Sequence, residues 1–375
     1  MIIGVDGNEA NVREKVGVSV YTYKHLSYFQ KKANKDLKFI IYLRKPPLND
    51  LPDETLYFKY KLIHGSFLWS QLFLPFELIK NMFSKERISV FFSPAHYIPR
   101  LCPCPTVVTI HDVAYLHYPD EFLKKDLYQL QNWTHYSLRK ANKIIAVSKT
   151  TKKDIMSHYH IADNRIEVIY NGFEKEIGEP SSPVKIQNMV PKIDPPYILY
   201  VGTIQSRKNI VTLIKAFAVF NQTHPHYKLV ITGKKGWLFD QIFKEAKNLY
   251  LENKIIFTGY VTDEELVSLY KEAFCFVLPS FYEGFGIPIL EAMSFNCPVI
   301  SSFSSSLPEV GGEASLYFNP HDFHDLVAKL ELLNSDEKLR ANLIKNGIGR
   351  IKQFSWTTCA KETLTVLKAQ IHDRS

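Results

Sequence analysis

The segment Pro279-Ser280-Phe281-Tyr282-Glu283-Gly284-Phe285-Gly286-Ile287-Pro288-Ile289-Leu290-Glu291-Ala292 carries the densest chemistry in the chain. It follows the apolar run Phe274–Leu278, which reads as a buried strand, and it opens a helix. Gly284 and Gly286, on either side of Phe285, let backbone N–H groups approach a ligand closely. The helix N-terminus beyond them favours an anion such as a pyrophosphate. Glu283 stands at the strand-to-helix turn and Glu291 lies inside the helix. Eight residues advance a helix by about 80° past two full turns, but Glu283 precedes the helix, so both carboxylates can address one cleft. A carboxylate accepts two hydroxyl hydrogen bonds, which suits a sugar diol. The competing structural roles are a helix cap for Glu283 and a lysine pair for Glu291.

Two further places offer chemistry. Arg207 and Lys208 follow a turn at Gly202 and precede a helix at Ile210. An arginine forks onto two phosphate oxygens and a lysine adds a point charge, so together they can hold a diphosphate and stabilise it as it leaves. A merely structural basic pair is disfavoured there, because the helix dipole repels cations at that end. His111 follows the apolar strand Thr106–Ile110, where an imidazole can hydrogen-bond a bound hydroxyl. A satisfied structural histidine is the alternative, and Asp112 either orients it or caps a helix. No Asp-x-Asp occurs, so phosphate binding through a bridging metal lacks its ligands. The site is expected to need neither metal nor cofactor. No Gly-x-Gly-x-x-Gly occurs either, which counts against a nicotinamide dehydrogenase.

Strands alternating with helices must position these residues, and that grammar runs through the chain twice. Short, near-continuously apolar strands are predicted at Met1–Val5, Phe39–Leu43, Ser89–Ser93, Thr106–Ile110, Lys143–Val147 and Ile166–Ile169. A second set follows at Tyr197–Val201, Lys228–Thr232, Ile255–Thr258, Phe274–Leu278, Pro298–Ser301 and Ala314–Phe318. Helical stretches lie between them. The 375 residues exceed one typical hydrophobic core, so two domains are the default. Residues 1–177 read as one α/β domain and 197–354 as another, with a Pro- and Ser-rich linker at 178–196. Two doubly wound sheets are the implied architecture, and such sheets bind ligands at the carboxyl ends of their strands.

Composition narrows the classes. At 46% hydrophobic and 22% charged residues the chain is an ordinary globular protein, not a disordered one. No apolar run is long enough to span a bilayer, and the first residues read as a strand and not as a signal peptide. The five cysteines are sparse and scattered, which fits idle thiols in a reducing cytosol. Residues 1–175 carry 25 Lys and Arg against 17 Asp and Glu, and residues 176–375 carry 21 against 21, so the net +8 sits in the N-terminal half. Such a field suits a phosphate or an anionic lipid surface. A nucleic-acid partner is not expected, since no binding motif or basic block occurs. The aromatic segment Phe67–Lys85 ends in basic residues. It reads either as an amphipathic core helix or as one that dips into an anionic bilayer surface.

The Glu283-to-Glu291 segment resembles the glutamate pair of retaining glycosyltransferases of family 4, in the GT-B class. Val201-Gly202-Thr203-Ile204-Gln205-Ser206-Arg207-Lys208-Asn209-Ile210 is similar to that family's strand–loop–helix, which supplies a basic pair to the donor phosphates. Many members carry an arginine directly after the strand glycine; here that position is Thr203. Phe257-Thr258-Gly259-Tyr260-Val261 resembles the family's base-pocket strand, which would place Tyr260 and Val261 at the nucleotide. Pro298–Ser301 and Leu307–Gly312 match the following strand and loop, Thr109–Asp112 the active-site histidine, and Asn171-Gly172 the end-of-domain turn. The loop at Gly17 takes the place of a glycine-rich loop near the donor diphosphate, although only that one glycine remains.

The resemblance implies a GT-B fold of two Rossmann-like domains facing a central cleft. The N-terminal domain would take the acceptor and the C-terminal domain the nucleotide sugar. The helix in 355–375 would return to the N-terminal domain. It implies Glu283, Arg207, Lys208 and His111 as catalytic residues, and Glu291, Gly284, Phe285, Gly286, Gly17, Tyr260 and Val261 as donor-binding ones. The implied reaction moves a hexose from a nucleotide diphosphate sugar to a carbohydrate or lipid-linked hydroxyl. The overall pattern is most similar to bacterial mannosyltransferases of polysaccharide assembly, so GDP-mannose is the first donor expected and UDP-glucose the second. A cytoplasmic enzyme, peripheral at the inner membrane face, would fit. The alternatives are a GT-B nucleotide-sugar epimerase and a non-catalytic sugar-binding or scaffold protein.

Overall fold

The computed structural model describes residues 1–65, 68–174, 193–236 and 239–372. The chain divides into two compact units: Met1–His117, Phe122–Gly172 and Phe354–Ser375 form one, Tyr118–Glu121 and Phe173–Gln353 the other. Most of the stretch 178–196, read above as a linker, lies outside the described residues, as does Phe67.

The first unit is built on strands β1 (Ile2–Asp6), β2 (Lys38–Leu43), β3 (Phe58–Leu62), β4 (Val90–Ser93), β5 (Thr106–Ile110), β6 (Lys143–Ala146) and β7 (Ile166–Val168). They form one parallel sheet in the order β3-β2-β1-β4-β5-β6-β7. Its helices are α1 (Val18–Lys32), α2 (Phe73–Met82), α3 (Ala114–His117), α4 (Lys124–Lys140) and α5 (Lys149–Tyr159), joined by the terminal helix Trp356–His372. Every residue of β4 and β5 is buried, as a strand covered on both faces requires. On one face Tyr21, Leu26 and Phe29 of α1 and Cys359, Leu364 and Leu367 of the terminal helix pack with Ile3, Val5, Phe39 and Phe92. Inside that core His25 Nδ1 donates to the Tyr21 carbonyl at 2.7 Å, and Nε2 accepts from the Thr363 hydroxyl at 3.0 Å. A polar key therefore locates the terminal helix in an otherwise apolar layer. On the opposite face α2 seats Leu74 and Leu78 against Tyr42 and Phe91.

Strand β3 is absent from the sequence-based expectation. Its residues Phe-Lys-Tyr-Lys-Leu alternate instead of running apolar, because it is an edge strand. Lysines there also discourage pairing with another chain. Helix α2 takes up only Phe73–Met82 of the aromatic segment Phe67–Lys85.

The second unit repeats the plan with β8 (Tyr197–Val201), β9 (Lys228–Thr232), β10 (Ile255–Gly259), β11 (Cys275–Leu278), β12 (Val299–Ser302) and β13 (Ser315–Phe318). All are parallel, in the order β10-β9-β8-β11-β12-β13. The helices are α6 (Ile210–Thr223), α7 (Asp240–Asn248), α8 (Asp263–Glu272), α9 (Ile287–Ser294), α10 (Leu307–Gly311), α11 (Phe323–Ser335) and α12 (Glu337–Ile351). Strand order reverses between β8 and β11, so the loops after these two strands flank the crevice where doubly wound sheets bind ligands. Those loops hold Arg207, Lys208 and Glu283.

Candidate active site

The loop after β8 closes in a short 3-10 turn, Ser206–Lys208, and Asn209 takes a left-handed conformation (φ 57°) before α6 begins. Buried Asn209 pays for that turn by donating from Nδ2 to the carbonyls of Pro279 (3.1 Å) and Pro320 (2.8 Å), which ties the loop to the one after β11. The Phe281 amide donates to the Arg207 carbonyl at 3.1 Å and doubles the tie. With both backbones fixed, Lys208 Nζ reaches Glu283 Oε1 at 2.5 Å. Arg207 Nη1 donates to the Tyr282 carbonyl at 2.5 Å and stands 3.9 Å from Glu283 Oε2. All three side chains are mostly buried, at 14–16% exposure.

Glu283 is held from every side. Ser280 Oγ donates to its Oε1 at 2.6 Å, its amide donates to Ser305 Oγ at 2.9 Å, and its carbonyl accepts from Ser306 Oγ at 2.8 Å. Burial acts to raise the carboxyl. The charges of Lys208 and Arg207 and the hydrogen bonds from Lys208 and Ser280 outweigh it and hold Glu283 below the usual carboxylate range. The single Ser306 O–H is shared between the Glu283 carbonyl and the Phe285 carbonyl, 2.9 Å from Oγ, so buried Phe285 belongs to the same loop arrangement. Gly284 lies half-buried beside it. Gly286 adopts φ 108° and caps α9; a Cβ there would come within 2.7 Å of Leu307 Cδ2. No side chain caps α9, so the cap role weighed for Glu283 is not the one it has.

Glu291 is separate from this cluster. It sits in α9 and accepts from the Tyr270 hydroxyl at 3.0 Å, not from a lysine. Burial pushes its carboxyl up; the Tyr270 hydrogen bond opposes that and the Asp263 charge adds to it. Tyr260 follows β10 and is 61% exposed, with Lys234 Nζ 4.6 Å over its ring, whereas Val261 is buried.

His111 and Gly17 belong to the first unit. His111 Nε2 donates to the Pro94 carbonyl at 2.8 Å, which leaves its Nδ1 as an acceptor. Burial, and then neighbouring His96, push this imidazole down to about 3, so it is neutral at physiological pH. Asp112 Oδ1 accepts from the Ala114 amide at 3.0 Å and caps α3. Gly17 caps α1 with φ 50°, and open space surrounds the position of a Cβ there.

Several polar residues of the two units escaped the sequence reading. Ser280, Ser305 and Ser306 hold Glu283, yet serines in loops carry no signal of that kind. Asp6 ends β1, accepts from the Asn8 side chain at 2.7 Å, and is raised to about 6 by burial. A carboxylate at the end of the first strand is the clue that could have found it. Ser206 Oγ donates to Glu121 Oε1 at 2.5 Å, a pairing across 85 residues that no local pattern announces.

Comparison with known proteins gives a consistent picture. Residues 17–176 match Glycosyltransferase Family 4, and residues 184–350 match Glycosyl transferases group 1. The O-antigen chain mannosyltransferase B of Escherichia coli is 33% identical over 283 residues, 74% of either chain. Among solved structures, sucrose-phosphate synthase from Thermosynechococcus elongatus aligns over 100% of both chains, with a TM-score of 0.75 at 20% identity. Anabaena Alr3699/HepE, in complex with UDP and glucose, aligns over 98% of this chain and 99% of its own, with a TM-score of 0.72 at 17% identity. The likeness to the two solved structures is one of fold.

Proposed function

Because the chain belongs to glycosyltransferase family 4 and is a glycosyltransferase of the GT-B fold, we propose that it moves mannose from GDP-mannose to a hydroxyl of a glycan or lipid-linked acceptor, with retention at the anomeric carbon. The observation that carries this reading is the Arg207–Lys208–Glu283 cluster at the strand-order reversal. Identity to an O-antigen mannosyltransferase supports mannose as the sugar.

In this reading Arg207 and Lys208 bind the diphosphate and stabilise its charge as the C1–O bond breaks, in place of a metal. Backbone N–H groups near Gly284, Phe285 and Gly286, and those at Gly17, line the phosphates. Glu291 takes the ribose hydroxyls, and Tyr260 and Val261 the base. Glu283 hydrogen-bonds the donor sugar. Two cations weaken it as a base and as a nucleophile, which favours attack by the acceptor oxygen on the face the diphosphate leaves. The acceptor proton then passes to a departing phosphate oxygen. His111 accepts from a sugar hydroxyl through Nδ1 and takes no proton in the reaction.

A lipid-linked acceptor would bring the chain to an anionic membrane surface. Among the described residues no helix is long and apolar enough to cross a membrane. Helix α2 and its ends, however, leave Leu72, Phe73, Phe76, Met82 and Phe83 exposed, Phe76 at 73% and Phe83 at 80%. Lys80 and Lys85 stand among them. Apolar side chains flanked by lysines suit peripheral docking on anionic lipid.

The deciding experiment is a thermal-shift panel of nucleotide sugars followed by transfer of labelled sugar to glycan acceptors. GDP-mannose should raise the melting point and GDP should compete. Stabilisation by UDP-glucose alone would replace mannose with glucose, and no response to any nucleotide sugar would overturn the reading.

A further inference from the structure

Three side chains of the first unit meet where α3 ends beside α5. His117 closes α3, while Asp154 and His158 stand four residues apart on α5 and so share a face of it. His117 Nε2 lies 3.2 Å from Asp154 Oδ2. The His117 and His158 rings meet edge-on with centroids 5.1 Å apart. One ligand atom from each of the three residues falls within 4.8 Å of the other two. Two ligands of a tetrahedral zinc, each about 2.0–2.1 Å from the ion, are about 3.3 Å apart. The His117–Asp154 separation already has the length of one edge of such a site, and the other two separations, within 4.8 Å, have to close by at most about 1.5 Å.

The surroundings of His158 favour one tautomer. Its Nδ1 lies 3.1 Å from the Asp154 carbonyl oxygen, which can only accept, and 3.2 Å from Ser157 Oγ, whose hydroxyl can itself donate to that carbonyl at 3.2 Å, so all three contacts are satisfied when Nδ1 carries the hydrogen. Nε2 keeps the lone pair that a metal takes. Metal-bound histidines are typically oriented by such a bond from the other nitrogen. The two backbones are also tied together. Tyr115 of α3, which is buried, and Tyr159 of α5 share a hydrogen bond of 2.7 Å between their hydroxyls. Lys149, Lys152 and Lys153 project about 100° or more around α5 from Asp154, which keeps their charges off the cluster.

We propose that His117, Asp154 and His158 bind a borderline divalent cation, Zn²⁺ foremost, with Co²⁺ and Ni²⁺ as substitutes. Two imidazoles and a carboxylate select these ions over Mg²⁺ and Ca²⁺, which prefer oxygen shells. Three protein ligands leave one position to water. The ion fastens α3 to α5 and stabilises the folded state by mass action. Its role is structural, so it is separate from the proposed metal-independent transfer.

The test uses the full chain, stripped with chelator and then titrated with ZnCl₂ by calorimetry and thermal denaturation, with Co²⁺ as a spectroscopic probe. One saturable Zn²⁺ site per chain, a melting point higher by several degrees and a Co²⁺ ligand-field band are expected. Affinity should fall at least tenfold in His117→Ala and in His158→Ala. Both residues are exposed, and a metal-free melt confirms that the variants fold. Unchanged Zn²⁺ affinity in His158→Ala would reduce the cluster to a His117–Asp154 ion pair and overturn the proposal. So would an absence of saturable binding at micromolar Zn²⁺ in the unmodified chain.

Discussion

Lys208 and Glu283 meet at 2.5 Å although 75 residues separate them, because the loops after β8 and β11 are stitched together backbone to side chain by Asn209. The carboxylate proposed to touch the sugar and a cation proposed to hold the diphosphate are thus one electrostatic unit before any donor arrives. An ammonium has three donors, so Lys208 can keep Glu283 and still bind a phosphate oxygen.

That coupling sets the expected behaviour of the basic pair. Arg207→Ala and Lys208→Ala should each reduce kcat/KM for the donor, by about 2–4 kcal/mol of transition-state stabilisation for the more important one. Lys208→Met should have a second signature. The Glu283 carboxyl loses its main opposing charge and rises, so the acid limb of the kcat/KM profile moves to higher pH. Steady-state kinetics from pH 4 to 9 measures both. Unchanged turnover in the two single variants and the double would remove the pair from the mechanism.

Transfer should persist in EDTA. The basis is the lack of Asp-x-Asp and the presence of Arg207 and Lys208 where a cation would otherwise act. Loss of activity on chelation, restored by Mg²⁺ or Mn²⁺, would show a catalytic metal. A lower melting point in EDTA with transfer intact is the combination expected if the histidine cluster binds its ion.

What the sequence showed depended on whether a feature is local. Both parallel sheets were legible because buried strands such as Thr106–Ile110 are continuous apolar runs between helical stretches. Strand β3 was not, since an edge strand alternates like a loop with lysines in it. Glu283, Arg207 and Lys208 stood out by residue type beside glycine turns. Their mutual contact, the serines that hold Glu283 and the Tyr270 partner of Glu291 are long-range pairings that no spacing encodes. For the segment at α2 the sequence left two readings; the helix buries Leu74 and Leu78 and exposes Phe76, and Phe83 just after it is exposed too.

That outward face predicts vesicle binding. The chain should sediment with vesicles containing anionic lipid, less so with zwitterionic ones, and less at high salt. Phe76→Ser with Phe83→Ser should weaken this by tenfold or more while the melting point stays within a degree or two, since both side chains already face water. Binding by the unmodified chain that the double variant retains would move the contact elsewhere on the basic unit. No binding by either would end the membrane reading.

Buried histidines predict acid sensitivity of the first unit. His25 is fully buried, and burial lowers it from 6.5 to about 4, against a smaller opposing effect of its hydrogen bond to the Tyr21 carbonyl. The unfolded chain therefore binds a proton that the folded chain refuses between those values. The stability contribution is complete above about pH 6.5 and declines as pH falls toward 4, by about 2 kcal/mol at pH 5 for this one group. Urea unfolding at pH 7 and pH 5 should show the loss, and His25→Gln should show a shallower decline. Equal slopes in the two proteins would assign the acid sensitivity to other groups.

Glu283 and Glu291 should fail differently when neutralised. Glu283 stands in the loop after β11 with Lys208 and Arg207 against it, whereas Glu291 sits a helix away with Tyr270. A group that touches the reacting sugar can tighten its hold in the transition state, but a ribose contact is mainly uniform binding. Glu283→Gln should lower kcat by more than tenfold. It also removes the charge that Lys208 pairs with, so its melting curve must be checked before its kinetics are read. Glu291→Gln should chiefly raise the donor KM, and its amide can still accept from Tyr270, so the fold should be undisturbed. If Glu291→Gln alone lost turnover at saturating donor, or both variants showed only a KM effect, the two roles would have to be reassigned.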